Sequence, residues 1–354
     1  MRLSVFISLV SCFTLIRTCN ASVIKDLARL EDLSARFKPV SFEEGYSVIW
    51  GSPIISSDSQ ADADTVQLKL DKSSGSGFVS LENYMYGFYS ASIKFPAQDY
   101  AAGIVLAFYT SNADKFPSAH DELDFEFLGN IKGRPWRMQT NIFGNGNGGR
   151  EERFDFWFDP TADYHNYSIL WNYFHTVFMV DGIPIREMIG NESMGEDYPS
   201  KPMAMYATVW DGSDWATDGG RFKVDYKYAP FVASFKSLKM QGCAANPLLQ
   251  NLESESASPS SSAHCNSPYA EYYDALEADE FLALDSKQKA AMAWVRRTHM
   301  YYSYCDDKVR YPTPLPECTS TIDSIPKAVR RRRQRRRKPN YNSSKTSFQD
   351  ASGH

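Results

Sequence analysis

Residues 120–130 read HDELDFEFLGN, with acidic Glu122, Asp124 and Glu126 alternating with apolar Leu123, Phe125 and Phe127. On an extended strand successive side chains point to opposite faces. The three carboxyls therefore share one face and the three apolar groups the other. Like charges in such a row repel, and the repulsion is tolerable where one group holds a proton. Positions four apart on a strand lie about 13 Å apart at Cα, from about 3.3 Å per residue. Two glutamates leaning together bring their carboxyls to about 5–6 Å, near the separation of retaining glycosidases, whereas inverting enzymes need a wider gap to admit a water. The spacing predicts a double displacement. One glutamate attacks an anomeric carbon, and the other protonates the leaving oxygen and then serves as base. Asp124, between them, shares a proton and holds the nucleophile in place and charge state. Spacing alone leaves a charged concave face or a calcium site open.

Such a strand needs a sheet around it. From about residue 40 to 240 the chain has the texture of short strands separated by turns. Residues 88–95 (FYSASIKF) alternate large and small side chains before Pro96. Residues 176–180 and 183–189 flank Asp181-Gly182, a hairpin signal because both turn residues tolerate positive φ. Frequent strands without intervening helical patterns predict an all-β antiparallel sandwich, with a barrel not excluded. The 21 Tyr, 22 Phe and 7 Trp suit either a sandwich core or a cleft facing sugar rings. Residues 250–264 turn to Ser, Ala, Glu and Pro, which reads as a linker. From Asp285 to Tyr304, Ala290, Ala291, Trp294, Val295, Thr298, Tyr301 and Tyr302 recur at helix spacing, with Asp285 or Ser286 able to cap. The expected division is a signal at 1–21, a catalytic domain at 22–240, a C-terminal extension at 241–325 and a basic, disordered tail at 326–354.

Arg2, an apolar run from Leu3 to Ile16 and a small residue at Ala21 have the form of a secretory signal, and the run is too short to span a bilayer. The expectation is a secreted, soluble protein. Past that signal the cysteines are Cys243, Cys265, Cys305 and Cys318. They allow three pairings, and the local ones, Cys243–Cys265 and Cys305–Cys318, are expected. None of the spacings is Cys-x-x-Cys, which argues against zinc, and no metal is expected. Asn166, Asn191 and Asn342 head glycosylation sequons. Residues 330–338, from Arg330 to Lys338, carry eight positive charges, so a total of −5 leaves the rest of the chain at −13. That arm fits acidic pectin in a cell wall; nucleic-acid binding conflicts with export, and a dibasic processing site is an alternative.

HDELDFEFLGN resembles the signature of the plant xyloglucan endotransglucosylase/hydrolases, in family 16 of the glycoside hydrolases. Gln139-Thr140-Asn141 resembles the family's QTN strand, and Gly149-Arg150-Glu151 its loop of form D/G-R-E. Residues 210–220 (WDGSDWATDGG) resemble the stretch in which an Asp-Trp pair and a glycine contact xyloglucan on the acceptor side. WVRRTHMYYSYC and VRYPTPLPEC resemble the C-terminal extension, with Arg310 at a substrate-contacting arginine. The likeness covers roughly residues 35–320. Trp136 and the loop GNGNGG point to a long-tailed subgroup.

The resemblance implies a concanavalin-like β-jelly-roll sandwich with an open cleft and a short, disulfide-held extension containing a helix. It implies that Glu122 is the nucleophile, Glu126 the acid/base and Asp124 the helper. It also implies substrate contacts from Gln139, Thr140, Asn141, Gly149, Arg150, Glu151, Asp214, Trp215, Gly219 and Arg310, with no cofactor. Trp171, on the apolar run SILWN, is expected in the core. The implied activity is cleavage of the β-1,4-glucan backbone of xyloglucan and religation to another chain or to water, in the cell wall and apoplast. A hydrolytic xyloglucanase, a mixed-linkage β-glucanase and a catalytically dead lectin are the competing readings. Asn130-Ile131-Lys132 lacks the glycosylation acceptor that many members carry directly after the signature.

Overall fold

The computed structural model describes residues 33–56, 64–190, 194, 197–245, 276 and 281–319. The expected signal, Cys265, the sequons at Asn191 and Asn342, the 250–264 segment and the basic arm lie outside the described residues.

The strands form two antiparallel sheets. The first has the order β1 (Tyr46–Trp50), β4 (Ser76–Ser80), β13 (Ala204–Asp211), β6 (Ile104–Ser111), β7 (Glu122–Leu128), β8 (Arg137–Phe143), β9 (Glu152–Asp155) and β15 (Met300–Ser303). The second has the order β12 (Ile183–Ile189), β11 (His175–Val180), β10 (His165–Trp171), β5 (Tyr84–Lys94), β14 (Phe231–Ala244), β3 (Thr65–Leu70) and β2 (Ile54–Ser56). Two separate sheets make this a sandwich, not a barrel. Period-2 burial shows why: β3 alternates half-buried and buried residues along TVQLKL, as does β14 from Phe231 to Lys236.

The space between the sheets is filled largely by aromatic rings. Phe78, Phe108, Phe125, Phe127, Tyr89, Tyr167 and Phe178 are all fully buried. Phe125 meets Phe178 edge-on at 5.1 Å, joining the sheet that carries the carboxylates to the opposite one. Trp171 is fully buried, as expected, and its indole N–H donates to the Pro199 carbonyl at 3.1 Å. The hairpin at Asp181-Gly182 forms between β11 and β12, with φ of 50° and 72° at the two turn residues. Positive φ at both is what a two-residue hairpin demands and what Gly182 supplies at little steric cost.

The C-terminal segment differs from the expected single helix. Helix α1 covers Ser286–Thr298, capped by Asp285, whose carboxylate accepts from Gln288 N while the Gln288 side chain accepts from Asp285 N. It ends at His299, and residues 300–303 become β15, which pairs with β9. The periodic Tyr301 and Tyr302 therefore lie on an edge strand. The reason is non-local: β9 offers an open row of backbone groups that a helix cannot satisfy. Buried Glu152 on β9 fastens the segment, accepting from Arg296 of α1 at 2.6 and 2.8 Å and from Ser303 at 3.1 Å. The Cys305–Cys318 disulfide closes the loop between its two cysteines, with Cα atoms 5.4 Å apart, and holds helix α2 (Pro316–Thr319). Cys243 is also disulfide-bonded.

Candidate active site

β7 is the fifth strand of its eight-stranded sheet, flanked by β6 and β8. Leu123, Phe125 and Phe127 point inward and are fully buried, so Glu122, Asp124 and Glu126 line the outer face. Registration sets their neighbours. Glu122 lies opposite Ser111 and Phe143, Asp124 opposite Tyr109 and Asn141, and Glu126 opposite Ala107 and Gln139.

These neighbours differentiate three chemically similar groups. Asp124 is 6% exposed, and burial together with the charges of Glu122 and Glu126 holds its carboxyl well above the usual range, which favours its protonated form. It shares a hydrogen bond with Glu122. Burial leaves Glu122 raised too, though less than Asp124, because hydrogen bonds to Ser111 and Asp124 and the nearby His120 oppose it by favouring the ionised form. Glu126 is pushed up to about 7, chiefly by burial, against a hydrogen bond in which Gln139 Nε2 donates to Glu126 Oε2 at 2.6 Å. Gln139 is fixed in turn by Arg153, whose Nε donates to Gln139 Oε1 at 2.7 Å, and the Arg153 guanidinium lies 4.9 Å from the Tyr302 ring. The result is a carboxyl whose neighbours favour its ionised form, a more strongly raised partner hydrogen-bonded to it, and a third carboxyl poised to exchange a proton near neutrality.

Beyond Glu126 a cavity of about 190 Å³ opens. Its lining includes Gln139, Arg153, Trp215, Gly219, Arg137 and Tyr301. Trp215 and Trp210 are each 36% exposed, with ring centroids 6.1 Å apart. Asp214 stands fully exposed at the rim, 3.5 Å from Lys223. Arg310 is paired with Glu151 at 2.6 Å, and Gly149 accepts from the Tyr311 hydroxyl at 2.9 Å. Asn141 faces the cleft beside Asp124, with its Oδ1 accepting from Arg150 N.

Two of the expected contact residues are not brought to the cleft. Thr140 sits opposite core-facing Phe125, is fully buried, and bonds Arg186 between the sheets at 3.0 Å. It is the inward residue of an outward–inward–outward triplet. Arg150 is 1% exposed, and its guanidinium is occupied by Glu317, Asp197 and the Asn147 carbonyl at 2.6–2.9 Å. It ties the loop before β9 to helix α2. Asn166 is half-buried on β10, where its Oδ1 accepts from the Ser92 hydroxyl. Sequence reasoning missed Tyr109 and Tyr206, a stacked pair at 5.0 Å beside Asp124, and Arg153 with Tyr301 and Tyr302. Their signal was the outward half of each alternation, legible only once the register is known.

The chain matches the model of glycosyl hydrolases family 16 over residues 42–228 and that of the xyloglucan endo-transglycosylase C-terminus over 273–318. It is 52% identical over 281 residues to probable xyloglucan endotransglucosylase/hydrolase protein 30 of Arabidopsis thaliana, covering 79% of this chain and 77% of that protein. It is 42% identical over 289 residues to a probable xyloglucan endotransglucosylase/hydrolase protein of Nicotiana tabacum, covering 81% of this chain and 91% of that one. Among solved structures, Bacillus licheniformis β-glucanase aligns at 23% identity over 55% of this chain and 91% of its own, with a TM-score of 0.43. With one model spanning the carboxylate sheet and the other the segment that extends it, the chain belongs to the xyloglucan endotransglucosylase/hydrolases of glycosyl hydrolases family 16.

Proposed function

We propose that this protein cuts the β-1,4-glucan backbone of xyloglucan with retention and rejoins the cut chain to a second xyloglucan chain, or to water. The observation that carries this is the row of carboxyls on β7, in which Asp124 donates a proton bond to Glu122 while Glu126 sits near neutrality under Gln139. Glu122 attacks the anomeric carbon as Glu126 protonates the departing glycosidic oxygen, which leaves a glycosyl ester on Glu122 and an ionised Glu126. The 4-hydroxyl of an acceptor then attacks the anomeric carbon, giving its proton to Glu126 as the bond from that carbon to Glu122 breaks, which forms a new β-1,4 linkage and frees the Glu122 carboxylate. The cavity lined by Trp215, Arg137 and Tyr301 offers the acceptor an apolar ring face with charged groups around it. An acceptor sugar held there competes with water, and each tenfold in that partition corresponds to about 1.4 kcal/mol.

The relatives' plant origin and the N-terminal signal pattern support secretion to the cell wall and apoplast, with residues 330–338 binding acidic pectin. The test is incubation of purified protein with xyloglucan and a labelled xyloglucan oligosaccharide. Label in polymer exceeding new reducing ends is the expected result. New reducing ends without label would make the enzyme a hydrolase, and neither would end the reading.

A further inference from the structure

The outer face of the carboxylate sheet continues past the catalytic strand, away from the Trp215 cavity. From Glu126 the register runs through Ala107 on β6, Thr208 on β13 and Gly77 on β4 to Trp50 on β1. Paired residues in an antiparallel ladder share a face, so these side chains form one row across the sheet.

A bulge puts Trp50 in that row. Val48 pairs with core-facing Phe78, and two residues further on Trp50 would also face inward. The register shifts between Val48 and Trp50, so Trp50 pairs with Gly77 and turns to the outer face. A Cβ added to Gly77 would lie 3.1 Å from the Trp50 ring and 3.1 Å from the Thr208 methyl. The indole therefore lies close over a backbone that carries no side chain, and glycine is what lets it settle there. The intervening positions, Ala107, Thr208 and Gly77, are small and lie low on the face, nearly buried, and the row ends at Trp50, which is 39% exposed. Four strand spacings of about 4.8 Å put Trp50 roughly 19 Å from Glu126.

We infer that Trp50 is a sugar-stacking platform at the far end of the cleft, gripping the β-glucan chain that stays on Glu122 several residues from the bond being cut. The inference rests on the proposed reaction for the direction of the chain. Departing and incoming chains occupy the cavity beside Glu126, and the retained chain runs the other way across Ala107, Thr208 and Gly77. Binding at a distance from the reacting centre helps hold the donor there while the ester awaits its acceptor.

The test measures binding without turnover, by calorimetry on Glu122→Gln and Glu122→Gln/Trp50→Ala, with a long and a short xyloglucan oligosaccharide, the short one ending before β4. The long ligand is expected to bind roughly three- to tenfold more weakly to the double variant, the range of one aromatic contact. The short ligand is expected to bind both alike, and Trp50→Phe to recover part of the long-ligand affinity. No loss for the long ligand, or equal loss for both, overturns the assignment, since a purely structural role would weaken the two together. The expected binding pattern alongside a wild type that never turns over xyloglucan would overturn the proposed reaction and leave the platform standing.

Discussion

Replacing Glu126 with glutamine isolates the energetic consequence of burying that carboxyl. In the folded protein burial pushes it from an ordinary 4.5 to about 7. Below about pH 4.5 both folded and unfolded chains hold the proton. As pH rises further the unfolded chain releases it first, so the folded state loses stability until its own carboxyl ionises near 7. Over that window a rise of this size corresponds to roughly 3 kcal/mol. Glutamine does not titrate, keeps the shape, and leaves Gln139 a partner. The stability of Glu126→Gln relative to wild type should therefore increase by about 3 kcal/mol between pH 4.5 and 8, read from urea unfolding at closely spaced pH values. A difference that stays constant across this range would mean that Glu126 titrates as an exposed glutamate, and the assignment of a neutral acid at the start of the reaction would go with it.

The same carboxyl sets the basic limb of the rate profile: kcat/KM for transfer should fall as pH rises above about 7, measured with xyloglucan and a labelled acceptor. Asp124→Ala should lose roughly 10- to 100-fold in kcat/KM by removing a hydrogen bond to the ionised nucleophile, while Asp124→Asn, which resembles the protonated acid, retains more; equal losses would remove the proton-sharing role. Arg296→Ala should destabilise the fold by about 3 kcal/mol in chemical denaturation, because it strips a buried carboxylate, Glu152, of its two shortest hydrogen bonds and leaves Arg186, at 3.8 Å, as its counter-charge. Serine at both Cys305 and Cys318, which are 13 positions apart, should cost about 3 kcal/mol by loosening the loop they close, seen as lost hydrogen-exchange protection around helix α2.

What was legible in the sequence follows period-2 logic. HDELDFEFLGN announced a strand with carboxyls out and phenyl rings in, because alternation is a local property and the sheet preserves it. Asp181-Gly182 announced its hairpin for a similar reason, both turn conformations being written in two adjacent residues. What failed was settled by distant partners. Residues 300–303 have a helical rhythm yet pair with β9, because an unfinished sheet edge outweighs propensity. Arg150 has the look of a ligand contact, but Glu317, 167 positions away, takes its Nε. Thr140 followed its neighbours into the expected contact set although alternation alone places it on the other face from Gln139 and Asn141. Trp50 drew no attention because its place in the cleft depends on a bulge and on pairing with β4.

The central claim is that Glu122 becomes covalently attached to the retained sugar. A fluorinated xyloglucan oligosaccharide with a good leaving group, added to the enzyme and followed by proteolysis and peptide mass spectrometry, examines that bond. The prediction is a sugar ester on Glu122 with Glu126 unmodified. An ester on Glu126, or no ester together with a product of inverted anomeric configuration, would contradict the account.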